Sequence, residues 1–286
     1  MSRFIPIFGC FLGLMVLSAF YPIQQDHTPR PPSQCPPAAA SSHSLITALQ
    51  HSSSPAPQQE VLIAAAADLK FAMDSLVKAF SSKATDISIK LVYGSSGNFF
   101  EQISRDAPFD IFFSADLGYP QKLEQQHKTL TAIKPYGTGQ LVLWSRKLDP
   151  AREGMNTLLL GSVTRIAIAN PAHAPYGQRA EESLKYYQLY DKVREKLVIG
   201  ENISQAAQFA STGAADVGII ALSLALSPPL QKEGKYWLIP PTSHQPLQQG
   251  FVLLQHAKGN EGAKKFAAFI GSAKARAILE NFGFQL

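Results

Sequence analysis

Four short stretches of this sequence place small polar residues where an apolar run passes into a helical pattern. The stretches are Ala66-Ala67-Asp68, Ser95-Ser96-Gly97-Asn98, Pro175-Tyr176-Gly177 and Glu201-Asn202-Ile203-Ser204. Each would open a helix, and would therefore present backbone N–H groups without partners and the positive end of the helix dipole. Such helix ends bind anions without lysine or arginine. Any one stretch alone is more typical of an ordinary cap or turn, but two facing sets would surround a small oxyanion.

Patterns typical of catalysis are weak in this chain. The stretch 93–97 (YGSSG) has its glycines too close together for a G-x-S-x-G nucleophile elbow. The stretch 137–139 (GTG) lacks the third glycine of a dinucleotide fingerprint. The seven histidines include no H-x-x-x-H pair, and the two cysteines, Cys10 and Cys35, precede residue 60. We therefore expect no catalytic residues, no enzyme activity and no side chains that ligate a metal ion directly.

The elements that must position the four stretches alternate between strand and helix. Residues 60–67 form an apolar run that predicts a buried strand, and residues 69–80 carry one apolar stripe at helical spacing. Further predicted strands lie at 87–93 and 109–113, with a short helix at 99–105. Strands that alternate with helices indicate an α/β fold with mainly parallel sheets.

The alternation restarts after residue 139, which suggests a second lobe. The strands predicted after residue 139 lie at 140–144, 165–169, 196–199, 216–220 and 250–254. The helices predicted there lie at 178–190, 203–212, 261–270 and 273–281. We predict lobe I at 60–140 plus 242–286 and lobe II at 141–241. Extended crossings near 137–143 and 238–250 would form the hinge, with a Pro-Pro linker near 237–241.

The first 59 residues differ in composition from the rest. Residues 1–21 carry one charge, Arg3, ahead of an apolar run, which is typical of a secretory signal but also long enough for an uncleaved membrane anchor. Residues 22–59 are rich in Pro, Ser, Ala and Gln and predict a disordered linker. A wrongly chosen start codon would also account for these residues. We expect residues 60–286, which follow this segment, to be exported.

Composition excludes several classes of protein. The chain has 286 residues, of which 45% are hydrophobic and 16% charged, so it is not wholly disordered. Its net charge of +5 comes without any cluster of like charges, so we expect no nucleic-acid partner. With both cysteines outside residues 60–286, the module needs no disulfide.

Residues 60–286 resemble the periplasmic molybdate-binding proteins of ATP-driven oxyanion importers. The motifs that carry the resemblance are AAAADLKFAMDSLVKAF (64–80), YGSSGNFFEQI (93–103), APFDIFFSAD (107–116), IANPAHAPYGQRAEESL (168–184) and ILENFGF (278–284). Together these motifs are specific, and they cover the whole module and none of the first 59 residues.

The resemblance implies a two-lobe periplasmic binding protein of type II that holds molybdate or tungstate in its cleft through neutral hydrogen-bond donors. The ligand-binding residues that it implies are Ala67, Asp68, Ser95, Ser96, Tyr176 and Ile203. It also implies a periplasmic protein without a cofactor, whose partner is the transmembrane permease of an ABC importer. We expect the protein to be a monomer.

Two positions depart from the family pattern. Asp68 stands where many members have Ser or Asn, and a carboxylate would repel a dianion. We expect its side chain to turn away as a helix cap while its N–H binds. Ala221 stands where some members carry a ligand tyrosine, and Tyr176 would supply the phenol from the opposite side. His173 we expect to be a solvated loop residue.

Selectivity follows from the chemistry of the anions. Molybdate is fully deprotonated at neutral pH, so a pocket of donors suits it and excludes a phosphate that carries a proton. Sulfate must be rejected by its smaller size. Because Asp68 and Ala221 depart from the family pattern, the alternative hypothesis is a protein that binds sulfate or another tetrahedral oxyanion.

Two further hypotheses concern other classes of protein. One is a ligand-sensing domain of a regulator, for which the sequence shows no helix-turn-helix. The other is a hydrolase or transferase, which would need a base near Ser96.

Overall fold

A computed structural model of the protein describes residues 59–286. The predicted signal or anchor at 1–21 and all but the last residue of the predicted linker therefore lie outside the described residues. Residue 59 itself begins the first strand. Within residues 59–286, two sheets of five strands each are flanked by helices, which confirms the predicted α/β class.

Ten strands form the two sheets. They are β1 (Gln59–Ala66), β2 (Ile87–Gly94), β3 (Ile111–Ser114), β4 (Lys134–Gly139), β5 (Leu141–Ser145), β6 (Ile166–Ala169), β7 (Leu197–Gly200), β8 (Val217–Ala221), β9 (Lys235–Leu238) and β10 (Leu247–Leu253). The helices are α1 (Lys70–Ser81), α2 (Ser96–Ser104), α3 (Gly118–Gln125), α4 (Pro150–Glu153), α5 (Pro175–Tyr186), α6 (Tyr190–Val193), α7 (Ile203–Thr212), α8 (Leu222–Ala225), α9 (Pro228–Glu233), α10 (Glu261–Ile270) and α11 (Ala273–Asn281).

The first sheet has the strand order β2-β1-β3-β10-β4 and the second has the order β7-β6-β8-β5-β9. In each sheet three neighbouring strands are parallel, and the other two pairings are antiparallel. Four of the five strands in each sheet therefore run in the same direction, which confirms the predicted mainly parallel sheets, and β10 in the first sheet and β5 in the second run the opposite way. The reason is that β5 and β10 each enter their sheet from the other one, without the helical crossover that parallel neighbours need.

The chain passes twice between the sheets. A single residue, Gln140, separates the end of β4 from the start of β5, and the return runs through 239–246 between β9 and β10. Neither β4 nor β9 was expected as a strand. Pro135 and two glycines weaken the strand pattern of β4, which an edge position tolerates. The edge strand β9 is four residues long and mostly exposed, so burial does not mark it.

Each sheet has its own core. The predicted stripe on α1 is confirmed, because Ala72, Met73, Leu76 and Phe80 are buried against the first sheet, where α10 and α11 also pack. The core of the second sheet includes the buried ring of Trp144. No helix among the described residues has the length and apolar character needed to cross a membrane. A third apolar cluster, which includes Phe99 and Phe112, also packs on the first sheet. The three cores fix both sheets, so the loops at the strand ends are held in defined positions.

Candidate anion-binding site

One small cavity lies where the carboxyl ends of strands from both sheets meet. The residues that line it are Ala66, Ala67, Asp68, Gly94, Ser95, Ser96, Ala115, Ala174, Pro175, Tyr176 and Ile203. All six residues predicted to bind the ligand are among them. The first sheet supplies the residues that follow β1, β2 and β3, and the second sheet supplies those that follow β6 and β7. Carboxyl ends of strands are the usual ligand position in open α/β sheets.

Three helices begin at the cavity. Ser96, Tyr176 and Ile203 lie in the first turns of α2, α5 and α7, where backbone N–H groups have no acceptor within the helix. Asn202 caps α7 by accepting from the N–H groups of Ser204 and Gln205, which leaves that of Ile203 uncapped. The three helix ends therefore offer neutral donors and positive dipole ends to the cavity.

The two adjacent serines have different roles. The Ser96 hydroxyl is fully buried and accepts a hydrogen bond from the N–H of Ala115 at 3.0 Å, so its own proton is free to be donated. The Ser95 hydroxyl caps α2 by accepting from the N–H of Asn98 at 3.4 Å, and it lies 2.8 Å from Nδ1 of His173. Ser96 is thus the stronger candidate for a hydroxyl donor to a ligand.

The expectation that the Asp68 side chain would act as a helix cap is wrong. A 3-10 turn at Ala67–Leu69 precedes α1, and no side chain caps the first residues of that helix. Asp68 is instead buried, with 1% of its surface exposed, and its Oδ2 accepts from Nε2 of Gln249 at 2.8 Å. Its Oδ1 has no hydrogen-bond partner within residues 59–286. Burial raises the pKa of Asp68 to about 6, although hydrogen bonds from Gln249 and Tyr176 oppose the rise.

Gln249 connects the polar groups behind the cavity and was not found by sequence reasoning. Its Nε2 also donates to the Tyr176 hydroxyl at 3.1 Å, and its Oε1 accepts from the Tyr136 hydroxyl at 2.6 Å. Burial and the nearby charge of Asp68 raise the pKa of both tyrosines well above the ordinary value, so both stay neutral. The only sequence signal was a polar pair, Gln248-Gln249, within the otherwise apolar strand β10.

The charged and polar groups in the wall of the cavity determine its electrostatic character. Neither lysine nor arginine is among the residues that line it. The described part of the chain also contains no group of three or more His, Cys, Asp or Glu residues placed to hold a metal ion. Ala221 ends β8 and does not reach the cavity wall, so position 221 adds no donor. Helix ends, one free hydroxyl proton and one carboxyl group therefore define the chemistry of the cavity.

The loops on either side of the cavity contact each other across it. His173, expected to be solvated, keeps only 20% of its side chain exposed and bonds to Ser95. Its carbonyl oxygen accepts from the N–H of Gly97 at 2.9 Å. Asn98 Nδ2 donates to Glu201 Oε1. These bonds join the start of α2 to the loops before α5 and α7, so they hold the two sides of the cavity together.

An ion pair provides a further connection across the same gap. Arg179 of α5 lies 3.1 Å from Asp116, which follows β3, and 2.6 Å from Glu182. Only 12% of the arginine side chain is exposed, so this pair is better shielded from solvent than most surface pairs. Asp116 also accepts from the N–H of Gly118 at 2.7 Å, which is typical of an aspartate in a turn.

Two joined α/β units with a small cavity at facing strand ends define a solute-binding protein. The chain belongs to the family described as bacterial extracellular solute-binding protein, whose sequence profile matches residues 61–285. That match spans the strands, the helix ends and the cavity residues described above.

The relatives of this chain include several named for molybdate. It is 34% identical over 232 residues to the molybdate-binding protein ModA of Rhodobacter capsulatus, which covers 80% of this chain and 90% of that protein. It is 33% identical over 228 residues to ModA of Azotobacter vinelandii, and the match covers 79% of this chain and 90% of that protein. The solved structure of the Azotobacter vinelandii periplasmic molybdate-binding protein superposes with a TM-score of 0.74 at 30% identity, covering 79% of this chain and 99% of that one.

Proposed function

We propose that this protein captures molybdate, and with it tungstate, in the cavity between the two sheets and delivers it to the membrane permease of an ATP-driven importer. The observation that carries the proposal is the convergence of the four polar turns, from both sheets, on one cavity without lysine or arginine in its wall. The similarity to ModA proteins from two organisms supports the choice of anion.

The capture mechanism uses the donors described above. A molybdate dianion only accepts hydrogen bonds, and it would receive them from the N–H groups of Ser96, Tyr176 and Ile203 and from the Ser96 hydroxyl. Hydrogen bonds to a charged acceptor are the stronger kind, and the helix dipoles add to them. Each buried donor that finds an anion oxygen also avoids the cost of being left unpaired.

Delivery would depend on the two sides of the cavity opening and closing. We propose that residues 60–140 plus 242–286 form one lobe and residues 141–241 the other, as expected from the sequence. Closure would bring the Ser95–His173 and Asp116–Arg179 contacts together around the anion. A permease could then recognise the closed form. In this role the protein is a periplasmic, monomeric carrier, with neither a cofactor nor a catalytic step.

Calorimetric titration with molybdate, tungstate, sulfate and phosphate tests this proposal. We expect molybdate and tungstate to bind in a ratio of about one anion per chain, and sulfate and phosphate to bind more weakly. Sulfate is also only an acceptor, so its rejection would come from the longer contacts that a smaller tetrahedron leaves. If sulfate bound most tightly, the size argument would fail, and the protein would be a sulfate carrier. If none of the four bound, the proposed function would be wrong.

A further inference from the structure

Asp68 is the single acidic side chain among the residues that line the cavity. Its carboxyl group is buried, and its Oδ1 is the one polar side-chain atom of the cavity wall that lacks a hydrogen-bond partner within residues 59–286. A carboxylate oxygen that is buried without a donor of its own is costly even before a ligand is present, because burial removes its hydration. A dianion in the same cavity would add direct repulsion.

The groups that face Asp68 cannot neutralise it. Gln249 of β10 donates to Oδ2 and is uncharged. Tyr176 of α5 forms a hydrogen bond with the carboxyl group, and Tyr136 of β4 lies close enough for the charge of Asp68 to raise its pKa. Both tyrosines are held in their neutral form because burial raises the pKa of each. Ser223 of α8 bonds to the backbone oxygen of Asp68 at 2.7 Å and leaves the carboxyl group untouched. No lysine, arginine or histidine in the described part of the chain forms a hydrogen bond or an ion pair with the carboxyl group.

We propose that Asp68 binds the anion as a carboxylic acid, taking one proton from solvent for each anion captured and donating it from Oδ1 to an anion oxygen. This inference rests on the proposed function. The balance is simple, because one solvent proton joins the Asp68 carboxylate, the O–H then donates to the dianion, and no other bond forms or breaks. A group that would repel the ligand thereby becomes one more donor. Burial already raises the pKa of Asp68 to about 6, and the charge of a dianion acts in the same direction.

Proton uptake has a measurable consequence for affinity. If one proton binds with each anion, the association constant falls by up to about tenfold for each pH unit above the pKa of Asp68 in the free protein. An asparagine at position 68 keeps nearly the same shape and can donate from its amide without any proton. Asp68→Asn should therefore bind molybdate with little dependence on pH.

Titration calorimetry with sodium molybdate at about pH 6.5, 7.5 and 8.5 tests the inference, using at each pH two buffers of different ionisation enthalpy. We expect the unmodified protein to take up close to one proton per molybdate at the highest pH and to lose affinity as the pH rises. Asp68→Asn should take up none through this site and should bind more tightly than the unmodified protein at the highest pH. The matched control is Asp191→Asn, an exposed aspartate on α6, which should behave as the unmodified protein does.

The outcomes separate the two proposals. Molybdate binding by the unmodified protein without proton uptake would overturn this inference alone. The same proton uptake in Asp68→Asn would also overturn it. Failure of the unmodified protein to bind any oxyanion would instead overturn the proposed function, and this inference with it. Thermal melting checks that Asp68→Asn is folded, and Asp68→Ser provides a second neutral variant if it is not.

Discussion

The Ser95 hydroxyl lies 2.8 Å from Nδ1 of His173, and this hydrogen bond joins the end of a strand in the first sheet to a loop of the second. Ser95 also caps α2, whose first residue is Ser96, while His173 lies just before α5 and Tyr176. The bond therefore holds two helix ends that face the cavity at a fixed separation. Affinity for an anion should depend on this contact even though neither side chain needs to touch the ligand.

Replacement of His173 tests that dependence. In His173→Ala the Ser95 bond is lost, and a neutral hydrogen bond contributes about 0.5–1.5 kcal/mol net. We expect molybdate to bind about two- to tenfold more weakly by calorimetry. The control is His244→Ala, since the His244 ring bonds only to the carbonyl of the next residue. Equal affinities in the two variants would show that the Ser95–His173 bond does not contribute to capture.

Ser96→Ala removes the free hydroxyl proton at the cavity. A hydrogen bond to a charged partner contributes about 1–3 kcal/mol, so we expect the dissociation constant for molybdate to rise roughly 5- to 150-fold. Ser104→Ala is the matched control, because Ser104 ends the same helix and bonds to Gln126 on the surface. A Ser96→Ala protein that melts normally and binds with unchanged affinity would contradict the assignment of this pocket.

Gly97→Ala should disturb the contact between the two sides of the cavity. A Cβ atom at position 97 would lie 2.6 Å from the carbonyl oxygen of His173, and backbone there cannot yield as a flexible side chain could. Overpacking of this kind costs roughly 1–3 kcal/mol, so molybdate should bind about 5- to 150-fold more weakly. Gly161→Ala is the control, because nothing lies within 4 Å of its added methyl group. Identical titration curves for the two variants would refute the prediction.

The raised pKa of Asp68 predicts how stability changes with pH. The folded protein holds the Asp68 proton up to a pKa of about 6, whereas the unfolded chain releases it near the ordinary pKa of 3.8. Stability should therefore fall as the pH rises from about 4 to 6, by about 3 kcal/mol from this residue alone. Asp68→Asn should unfold at higher urea concentration than the unmodified protein at about pH 7.5, and the difference should shrink towards about pH 4. A constant difference at both pH values would rule out this origin.

Local patterns in the sequence predicted much of the fold. The apolar stripe of α1 and the buried strand β1 could be predicted because both the pattern and its cause lie within a dozen neighbouring residues. The edge strands β4 and β9 could not, since their pairing partners rather than their own residues make them strands.

The candidate site shows the same division. Turns at strand ends were visible, and the six predicted residues do come together. The hydrogen bond of the Asp68 side chain could not be predicted, because its partner Gln249 lies 181 positions further along the chain. The bond from Ser95 to His173 spans 78 positions and was missed for the same reason. A residue type alone shows which bonds a side chain can make, whereas the fold decides which partner it meets.

The lone residue between β4 and β5 limits how the protein can admit its cargo. Two strands that belong to different sheets run almost end to end through Gln140, and Nε2 of that residue is tied to the carbonyl oxygen of Gly283 at 2.8 Å. Because this link is so short, we expect the two sheets to rotate about backbone torsions near Gln140 rather than to slide past each other when an anion enters the cavity.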